Sequence, residues 1–308
     1  LLYKEFGVQS FDLGELLRTA SREPLLISAQ KFMAPFFLIG FGVIASLWPF
    51  HSWSPIGYAA APTSVSMLHA GVLKKMGPYL ILRLAVAFLP AGVRAHAPWL
   101  ATLATIGILY AGYAALRQKD LKFMVGFSSV SHMGYVLLGI AAMTVPSLSG
   151  AVLLMFSHGV MAAATFALIG FIYEKTHTRG VDDFGGLAKV TPFWAFSFIA
   201  ACLASLGLPG FSNFAGELLI FIGSWPSFPV AVGFAVFGIL ITAIYLLRAV
   251  QKLCYGPVNP AAARNPRDLS GLFEKFPIVM LLGALLVFGF WPQGLLRIIQ
   301  RSVEALLK

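Results

Sequence analysis

The sequence predicts an all-α protein, a polytopic membrane helix bundle of the antiporter-like type in which some transmembrane helices are broken and about eight spans are present. Hydrophobic residues make up 58% of the 308 residues, charged residues only 11%, and the mean hydropathy is +0.83. Soluble domains are about half apolar and about a quarter charged. The apolar residues also come in long runs, whereas a membrane barrel would show short alternating segments. Both observations favour helices that cross a bilayer.

Eight apolar runs are long enough to span the hydrocarbon core, which needs about 20 helical residues. They cover approximately residues 32–50, 64–90, 99–116, 121–143, 148–173, 192–223, 228–254 and 276–297. We therefore expect a polar connection at residues 1–31, the transmembrane bundle at 32–297 and a short polar tail at 298–308. No signal peptide can be identified after Leu1, and the sequence resembles the carboxy-terminal portion of a longer protein.

The basic residues are concentrated in every second connection between the runs. Connections 117–122, 174–190 and 252–275 carry them, whereas 143–148 and 224–229 carry no charge. Because cytoplasmic connections of membrane proteins are enriched in lysine and arginine, we expect the basic connections in the cytoplasm. This explains the net charge of +10 without nucleic-acid binding. The basic residues concerned are Arg117, Lys119, Lys122, Lys175, Arg179, Lys189, Lys252, Arg264, Arg267 and Lys275.

Glu217 is the only carboxylate inside any apolar run, in the segment LGLPGFSNFAGELLIF at residues 206–221. Pro209 and the glycines around it predict a helix break, because proline lacks a backbone N–H and lipid cannot satisfy the freed groups. A bare charge in hydrocarbon is unfavourable, so such a carboxylate usually faces the protein interior and carries ions or protons. The alternative is a helix-end carboxylate that reaches the membrane surface.

Two consecutive lysines, Lys74 and Lys75, lie in the second apolar run within AGVLKKMGPYLILR. Consecutive helical positions point about 100° apart, so the two ammonium groups cannot share one partner face. A lysine that is removed from water gives up its proton more readily, which suits a reversible proton carrier. Alternatively, one or both side chains extend along their methylene groups to the interface. Gly77 and Pro78 follow and are expected to bend this helix.

His132 and His158 lie in the fourth and fifth apolar runs. Ser128 precedes His132 by four positions and is expected on the same helical face. An imidazole can accept and donate a proton near neutral pH, and hydroxyl groups can hold relay water molecules. A lone buried histidine is more often a packing residue, but two of them in spans beside a lysine and a glutamate favour a proton relay.

His51 lies between Pro49 and Pro55 in WPFHSWSP, where a continuous helix is not expected. We therefore expect interrupted helix geometry near Ser46–Pro49 as well as near Leu206–Gly210. The sequence contains no glycine-rich phosphate loop, nucleophile elbow or cysteine cluster. We therefore expect no catalytic residues, no metal and no redox cofactor in this chain itself.

The polar motifs of these runs resemble one family, the antiporter-like membrane subunits of respiratory complex I. The strings PFHSWSP, APTSVSMLHAGVLKKMGPY, DLKFMVGFSSVSHMGYVLLGI, GAVLLMFSHGVMAAATF, LASLGLPGFSNFAGELLIF and GFWPQGLL follow the family in order and cover most of residues 32–297. Within the family the chain resembles the chain M, or subunit 4, type. Its mark is the glutamate after the second break, matched by Glu217, where the other types place a lysine nearby.

The resemblance implies a fold of fourteen transmembrane helices with two inverted five-helix repeats, each containing one broken helix. The eight runs would match the last eight helices, so a first half would lie outside this chain. Matched motif by motif, Lys75 corresponds to the central membrane lysine, His132 and His158 to two relay histidines, and Glu217 to the terminal acid of the half-channel. Lys122 corresponds to a lysine near the cytoplasmic end of a helix, where a surface role is expected. The accessory candidates are Lys74, His51, Ser128 and Lys122.

The chain departs from the family pattern around the first break. The family carries a lysine seven residues before the histidine of the PFH motif, and Ile44 stands there in this chain. An acid and a histidine of the following motif are replaced in the segment that contains Ile56 and Tyr58. These replacements argue against full proton pumping, whereas the series from Lys75 to Glu217 is intact.

The resemblance implies a proton-translocating subunit of an NADH–quinone oxidoreductase in the energy-conserving inner membrane of a prokaryote. Its partners would be the lipid bilayer, protons and other membrane-arm subunits, and those subunits would bind NADH, FMN, iron–sulfur clusters and quinone. An alternative is the equivalent subunit of a membrane-bound hydrogenase or a cation/proton antiporter. Another is a paralogue that has lost pumping and acts as a structural spacer. An independent secondary transporter ranks last, because no residues converge on an organic solute.

Overall fold

A computed structural model describes residues 12–22, 24–259 and 267–307, and in these ranges the protein is built from helices without a β-strand. The prediction of an all-α membrane bundle is confirmed. Of the predicted features, Arg264 and parts of the two terminal segments lie outside the described residues.

The described helices are numbered here in chain order. They are α1 (Leu13–Arg22), α2 (Ile27–Ala45), α3 (Trp53–Ala60), α4 (Thr63–Gly71), α5 (Met76–Leu80), α6 (Pro90–Arg117), α7 (Leu121–Ala142), α8 (Val145–Thr176), α9 (Leu187–Val190), α10 (Pro192–Ser205), α11 (Ser212–Ser224), α12 (Pro229–Cys254), α13 (Leu272–Phe290) and α14 (Gln293–Leu307). In the described part of the chain, six of them are long and apolar enough to cross a membrane: α2, α6, α7, α8, α12 and α13.

Helix α7 lies at the centre of the bundle. It is buried along almost its whole length and packs against α6 and α8. Helices α2 and α13 are mostly exposed, as expected for apolar helices that face lipid. Polar side chains on α7 are therefore enclosed by other helices of the bundle.

Both predicted helix breaks are present. At the first break, α2 ends before Ser46, which has a left-handed conformation with a φ of 65°, and α3 begins only after Pro49. At the second, α10 and α11 are separated by a segment that contains Pro209 and a glycine, Gly207, at a φ of 71°. Each proline removes one backbone N–H, and the left-handed residue near it, Ser46 or Gly207, turns the chain out of the helix.

The structure differs from the continuous span expected over residues 64–90. Helix α4 ends at Gly71, a 3₁₀ turn follows at Leu73–Lys75, and a π-helical turn covers Ile81–Val86 after the short α5. Pro78 lies inside α5 and cannot donate a backbone hydrogen bond. Local changes of helix type of this kind often accompany functional sites.

The terminal segments contain amphipathic helices where the sequence predicted polar connections. Helix α1 lies within residues 1–31 and buries Leu16, and α2 starts at Ile27 rather than at residue 32. Helix α14 crosses the expected end of the bundle and buries Leu296 and Val303. These segments mix polar and apolar residues, so their composition alone did not reveal that the apolar residues lie on one face of a helix. Such a helix suits a position at a membrane surface.

The basic connections lie together at one end of the bundle. Arg179 forms an ion pair with Asp120 at 3.1 Å, and Lys252 forms one with Asp182. These pairs join the connection after α6 to the connection after α8, and the latter to the end of α12. The predicted alternation of basic and uncharged connections therefore corresponds to the two ends of the bundle.

Candidate functional site

Four of the predicted site residues come together inside the bundle, each from a different element. Lys75 belongs to the 3₁₀ turn after α4, His132 to α7, His158 to α8 and Glu217 to α11. Their exposed fractions are 8%, 1%, 0% and 4% in that order. None of the four side chains extends to the surface, so the alternative of an interfacial lysine or glutamate does not hold for Lys75 or Glu217.

Lys75 and His158 are in direct contact. Lys75 Nζ lies 2.7 Å from His158 Nδ1 and also donates to the carbonyl of Ala70. Helices α4 and α8 approach closely because Gly71 and Gly159 meet, and a Cβ on Gly159 would lie 2.6 Å from the Gly71 carbonyl oxygen. An ammonium group can donate to the lone pair of a neutral imidazole, so this contact can carry a proton from one group to the other.

The two histidine rings are neighbours, with their centroids 5.1 Å apart. His132 Nδ1 lies 2.8 Å from the Ser128 carbonyl oxygen, and its Nε2 lies 2.9 Å from the Ser205 carbonyl oxygen. A neutral imidazole has one N–H, whereas both carbonyls can only accept. The imidazolium form of His132 satisfies both contacts at once. His158 Nε2 is buried and has no hydrogen-bond partner among the described residues.

Glu217 completes the series at the second break. Its Oε1 lies 4.0 Å from His132 Nε2, which is close enough for an ion pair but too far for a direct hydrogen bond. Gly207 has a positive φ of 71°, and a Cβ at this position would collide with Glu217 Oε2. The backbone conformation therefore favours glycine here, and a Cβ would also push the Glu217 carboxylate aside.

The sequence predicted that Ser128 lies on the same helical face as His132 and offers a hydroxyl group for relay water. In the structure, the backbone carbonyl of Ser128 contacts the His132 ring. The Ser128 hydroxyl instead accepts a hydrogen bond of 2.7 Å from Tyr245. The four-residue spacing did place the two residues on one face of α7, but it could not specify which group of Ser128 meets the ring.

Lys122 does not have the surface position that the sequence predicted. The residue is 3% exposed, and its Nζ donates to the Ala61 carbonyl at 2.7 Å. Arg179 donates to the Ala59 carbonyl at 2.8 Å. Both carbonyls lie at the C-terminal end of α3, where the last carbonyls of a helix lack helical partners. Lys122 therefore holds the end of α3 against α7.

Lys74 and His51, the other accessory candidates, are buried beside the series and do not contact its members directly. Lys74 Nζ donates to the Ser54 hydroxyl at 3.0 Å and to the Ser129 hydroxyl at 3.3 Å. The His51 ring packs edge-on against Tyr110, with the ring centroids 5.1 Å apart. Neither Lys74 nor His51 reaches the surface, with exposed fractions of 1% and 6%.

The departures from the family pattern have contrasting surroundings. Ile44 and Ile56 are exposed apolar residues on the outside of the bundle. Tyr58 is fully buried, and the centroid of its ring lies 5.5 Å from Lys74 Nζ. The described residues thus have no cation at the position of the family's first-break lysine, but they have one, Lys74, over the ring of Tyr58.

Several groups that complete the site gave no signal in the sequence. The carbonyls of Ala70, Ser128 and Ser205 contact the relay side chains, and main-chain groups have no residue-type signature. Only the break after Ser205 could have pointed to one of them, because the last carbonyls of a helix need other partners. Within the described ranges, no three His, Cys, Asp or Glu side chains are grouped as a metal site would require.

Comparison with known proteins identifies the family of this chain. A family model described as NADH:quinone oxidoreductase/Mrp antiporter, TM, matches residues 1–242. The chain is 36% identical over 307 residues to the NADH-quinone oxidoreductase subunit M of Rickettsia prowazekii (strain Madrid E), covering 100% of this chain and 62% of that protein. It is 43% identical over 262 residues to the NAD(P)H-quinone oxidoreductase chain 4 1 of Synechococcus sp. (strain JA-3-3Ab), covering 83% and 49% respectively.

Solved structures show the same fold. A chain in respiratory complex I from Thermus thermophilus with bound NADH has a TM-score of 0.90 and 28% identity, covering 99% of this chain and 64% of that one. A chain in the Mrp complex from Dietzia sp. DQ12-45-1b has a TM-score of 0.88 and 21% identity, covering 100% and 61%. The chain thus spans less than two thirds of the length of these relatives. Because the family model covers most of the sequence, this multi-pass membrane chain belongs to the NADH:quinone oxidoreductase/Mrp antiporter transmembrane family.

Proposed function

We propose that this chain is a proton-translocating membrane subunit of an NADH–quinone oxidoreductase of the complex I type. Protons move through Lys75, His158, His132 and Glu217, and redox chemistry in other subunits supplies the driving free energy. The observation that carries the proposal is the continuity of this series. Inside the bundle, the Lys75 amine lies 2.7 Å from the His158 ring, and the centroids of the two histidine rings lie 5.1 Å apart. The Glu217 carboxylate lies 4.0 Å from the His132 ring.

The series suits stepwise transfer in which one positive charge moves at each step. The Lys75 ammonium passes a proton to His158 Nδ1, leaving a neutral amine and an imidazolium. His158 passes a proton to the neighbouring His132, whose two carbonyl contacts accommodate the doubly protonated ring. From His132 Nε2 the proton reaches Glu217 through a small side-chain movement or one bridging water, and the carboxylate becomes neutral.

The assignment to this class of enzyme is supported by the relatives, which are named NADH-quinone oxidoreductase subunit M and NAD(P)H-quinone oxidoreductase chain 4. Its partners in this proposal are other membrane-arm subunits, the bilayer and protons. NADH, FMN, iron–sulfur clusters and quinone are bound by those other subunits, and this chain contributes the proton path.

A non-pumping structural spacer is the second candidate. It is favoured by Ile44, an exposed apolar residue at the position where the family carries a lysine. The fold shared with the Mrp complex also suits the equivalent subunit of a cation/proton antiporter. The identity of the subunits that purify with this chain from native membranes separates the antiporter from the oxidoreductase.

The proposal is tested by Glu217→Gln in the intact complex reconstituted into vesicles. Glutamine keeps the size and most of the hydrogen bonding of glutamate but removes the titratable charge. We expect fewer protons translocated per NADH, with unchanged NADH oxidation by an artificial acceptor. Glu174→Gln, at an exposed position, is the matched control and should pump as the wild type does. Wild-type pumping by an assembled Glu217→Gln complex would favour the spacer.

A further inference from the structure

Lys74 is the most deeply buried lysine or arginine in the described part of the chain, with 1% of its surface exposed. No described carboxylate lies within ion-pair distance of it. An ammonium group that is buried without an anion is unfavourable, unless other polar groups replace water around it or the group releases its proton. The surroundings of Lys74 therefore decide what this side chain does.

Two serine hydroxyl groups and the ring of Tyr58 form a cage around the Lys74 amine. Its Nζ donates to Ser54 Oγ at 3.0 Å and to Ser129 Oγ at 3.3 Å, and it lies over the ring of Tyr58. The Tyr58 hydroxyl interacts with the same two serine hydroxyls, although neither contact has the geometry of a regular hydrogen bond. Hydroxyl groups both accept and donate, so this cage can surround an ammonium as acceptors and a neutral amine as donors. It suits a side chain that changes its protonation state.

Lys74 and Lys75 are adjacent in the chain but hold their amines in different surroundings. Lys75 contacts His158, whereas Lys74 contacts the two serines. The charge of Lys75 acts unfavourably on that of Lys74, and such repulsion is strong where water is excluded. One positive charge shared between the two amines is therefore favoured over two.

His51 belongs to the first break, and its carbonyl accepts a hydrogen bond of 3.1 Å from the backbone N–H of Ser54, a member of this cage. The ring is buried and experiences the charge of Lys74 through space. Its Nδ1 is buried and has no hydrogen-bond partner among the described residues. Buried ring nitrogens are normally bonded to protein or water, so this one is available to a water molecule. The residues on either side, Phe50 and Ser52, are exposed, so the surface of the chain is one residue away.

We propose that Lys74, held by the hydroxyl groups of Ser54 and Ser129 beside the ring of Tyr58, is a second proton-binding site that exchanges its proton with Lys75. This site rests on the proposed function, because it gives the same relay a second position at which a proton can be held next to Lys75. In the exchange, the Lys74 ammonium releases a proton through a hydroxyl group or a water molecule to the Lys75 amine. Lys74 becomes neutral, Lys75 becomes charged, and the pair keeps one positive charge.

The titratable groups that act on Lys74 come from several elements. Tyr58 faces it from α3, His51 from the first break and Lys75 from the same turn. The relay histidines on α7 and α8 experience its charge as well. A pH profile of pumping therefore reports the whole cluster, and the contribution of Lys74 has to be isolated by substitutions at this one position.

The test compares Lys74→Met, Lys74→Arg and Lys74→His in the intact, reconstituted complex. Proton translocation per NADH is measured over a range of pH, and assembly and artificial-acceptor NADH oxidation are checked for each variant. Lys189→Met removes a lysine at an exposed position and is the matched control. Arginine keeps the charge but does not release its proton, whereas histidine exchanges a proton at a lower pH, near about 6.5 rather than about 10.4.

We expect Lys74→Met and Lys74→Arg to lose part of the protons translocated per NADH, with the Lys189→Met control unchanged. Lys74→His should recover pumping relative to Lys74→Met at acidic pH only, because the imidazole is protonated only there. Wild-type pumping by Lys74→Arg would show that a fixed charge is sufficient, and wild-type pumping by Lys74→Met would show that no charge is needed. Either result overturns the proposal, as does a Lys74→His variant that matches Lys74→Met at every pH.

Two further variants separate this proposal from the relay itself. If Lys75→Met and Glu217→Gln pump as the wild type does, the relay fails, and the second site falls with it. If those two variants lose pumping while the Lys74 variants retain it, only the second site is overturned.

Discussion

Lys75 and His158 are 83 positions apart in the chain, yet Lys75 Nζ lies 2.7 Å from His158 Nδ1. Their contact depends on backbone geometry, because the helices that carry them meet at two glycines, Gly71 and Gly159. Each of the following predictions concerns a contact within the proposed relay or at the basic end of the bundle.

Gly159→Ala should separate Lys75 from His158. The added Cβ would lie 2.6 Å from the Gly71 carbonyl oxygen, which is backbone and can move only with α4. We expect less proton translocation per NADH in an assembled complex, because the donor and acceptor move apart. Gly40→Ala on α2, where a Cβ meets nothing within 4 Å, is the control. Equal pumping by both variants would contradict the importance of this close approach.

Gly207→Ala should both strain the second break and displace the Glu217 carboxylate. A non-glycine residue in the left-handed region costs about 1–2 kcal/mol. Gly256→Ala is a matched control, since Gly256 also has a positive φ, 89°, but a Cβ there meets nothing within 4 Å. Thermal unfolding should show similar losses from strain, while pumping should fall only in Gly207→Ala. A pumping defect of the same size in both variants would show that the collision with Glu217 is unimportant.

Lys122→Met should lower stability more than the loss of a surface lysine does. The change removes the shorter of two hydrogen bonds that the half-buried Ala61 carbonyl accepts, the other coming from Ser66 Oγ at 3.5 Å, and a hydrogen bond to a charged group contributes about 1.5–3 kcal/mol. The measurement is the thermal unfolding midpoint of the purified complex, compared with Lys119→Met at an exposed position in the same connection. If the two midpoints agree, Lys122 does not anchor α3.

The Asp182–Lys252 pair predicts a pH dependence of stability at the basic end of the bundle. The hydrogen bond from Lys252 holds the pKa of the Asp182 carboxyl below its ordinary value. The native state therefore binds fewer protons than the unfolded state, and the contribution is complete above the unfolded pKa of about 3.9. It is lost as the pH falls through the lower folded value. The effect is small because the pair is exposed.

This dependence is measured as the difference in unfolding midpoint between the wild type and Asp182→Asn. The difference should shrink as the pH is lowered through this window, and Lys252→Met should remove the same dependence. A difference that stays constant with pH would mean that the ion pair does not form in solution.

The breaks and the relay residues could be predicted from the sequence because their signals are local. Pro49 and Pro209 lack an N–H to donate and stand among other residues that disfavour a helix, Pro55 near the first break and several glycines at the second. Lys75 and Glu217 were conspicuous because a charge in a long apolar run needs a protein environment.

The contacts that the sequence did not predict depend on segments that meet only after folding. In the sequence, Lys122 stands beside other basic residues of a connection. Its burial depends on the end of α3, which packs against it only in the folded chain. Ser128 was expected to act through its hydroxyl, but Tyr245 from a distant helix occupies that group. The irregular turns on either side of α5 also escaped prediction, because helix type depends on packing as well as on Pro78.

The break after Ser205 has an electrostatic consequence for His132. Helix α10 ends at Ser205, and the C-terminal end of a helix carries the equivalent of about half a negative charge. His132 Nε2 lies 2.9 Å from the carbonyl oxygen at this end. A positive charge on His132 therefore has a counter-charge that no proton can neutralise, whatever the protonation state of Glu217. The broken helix thus places a permanent partial negative charge beside the imidazole that, in the proposed relay, holds the proton before it reaches Glu217.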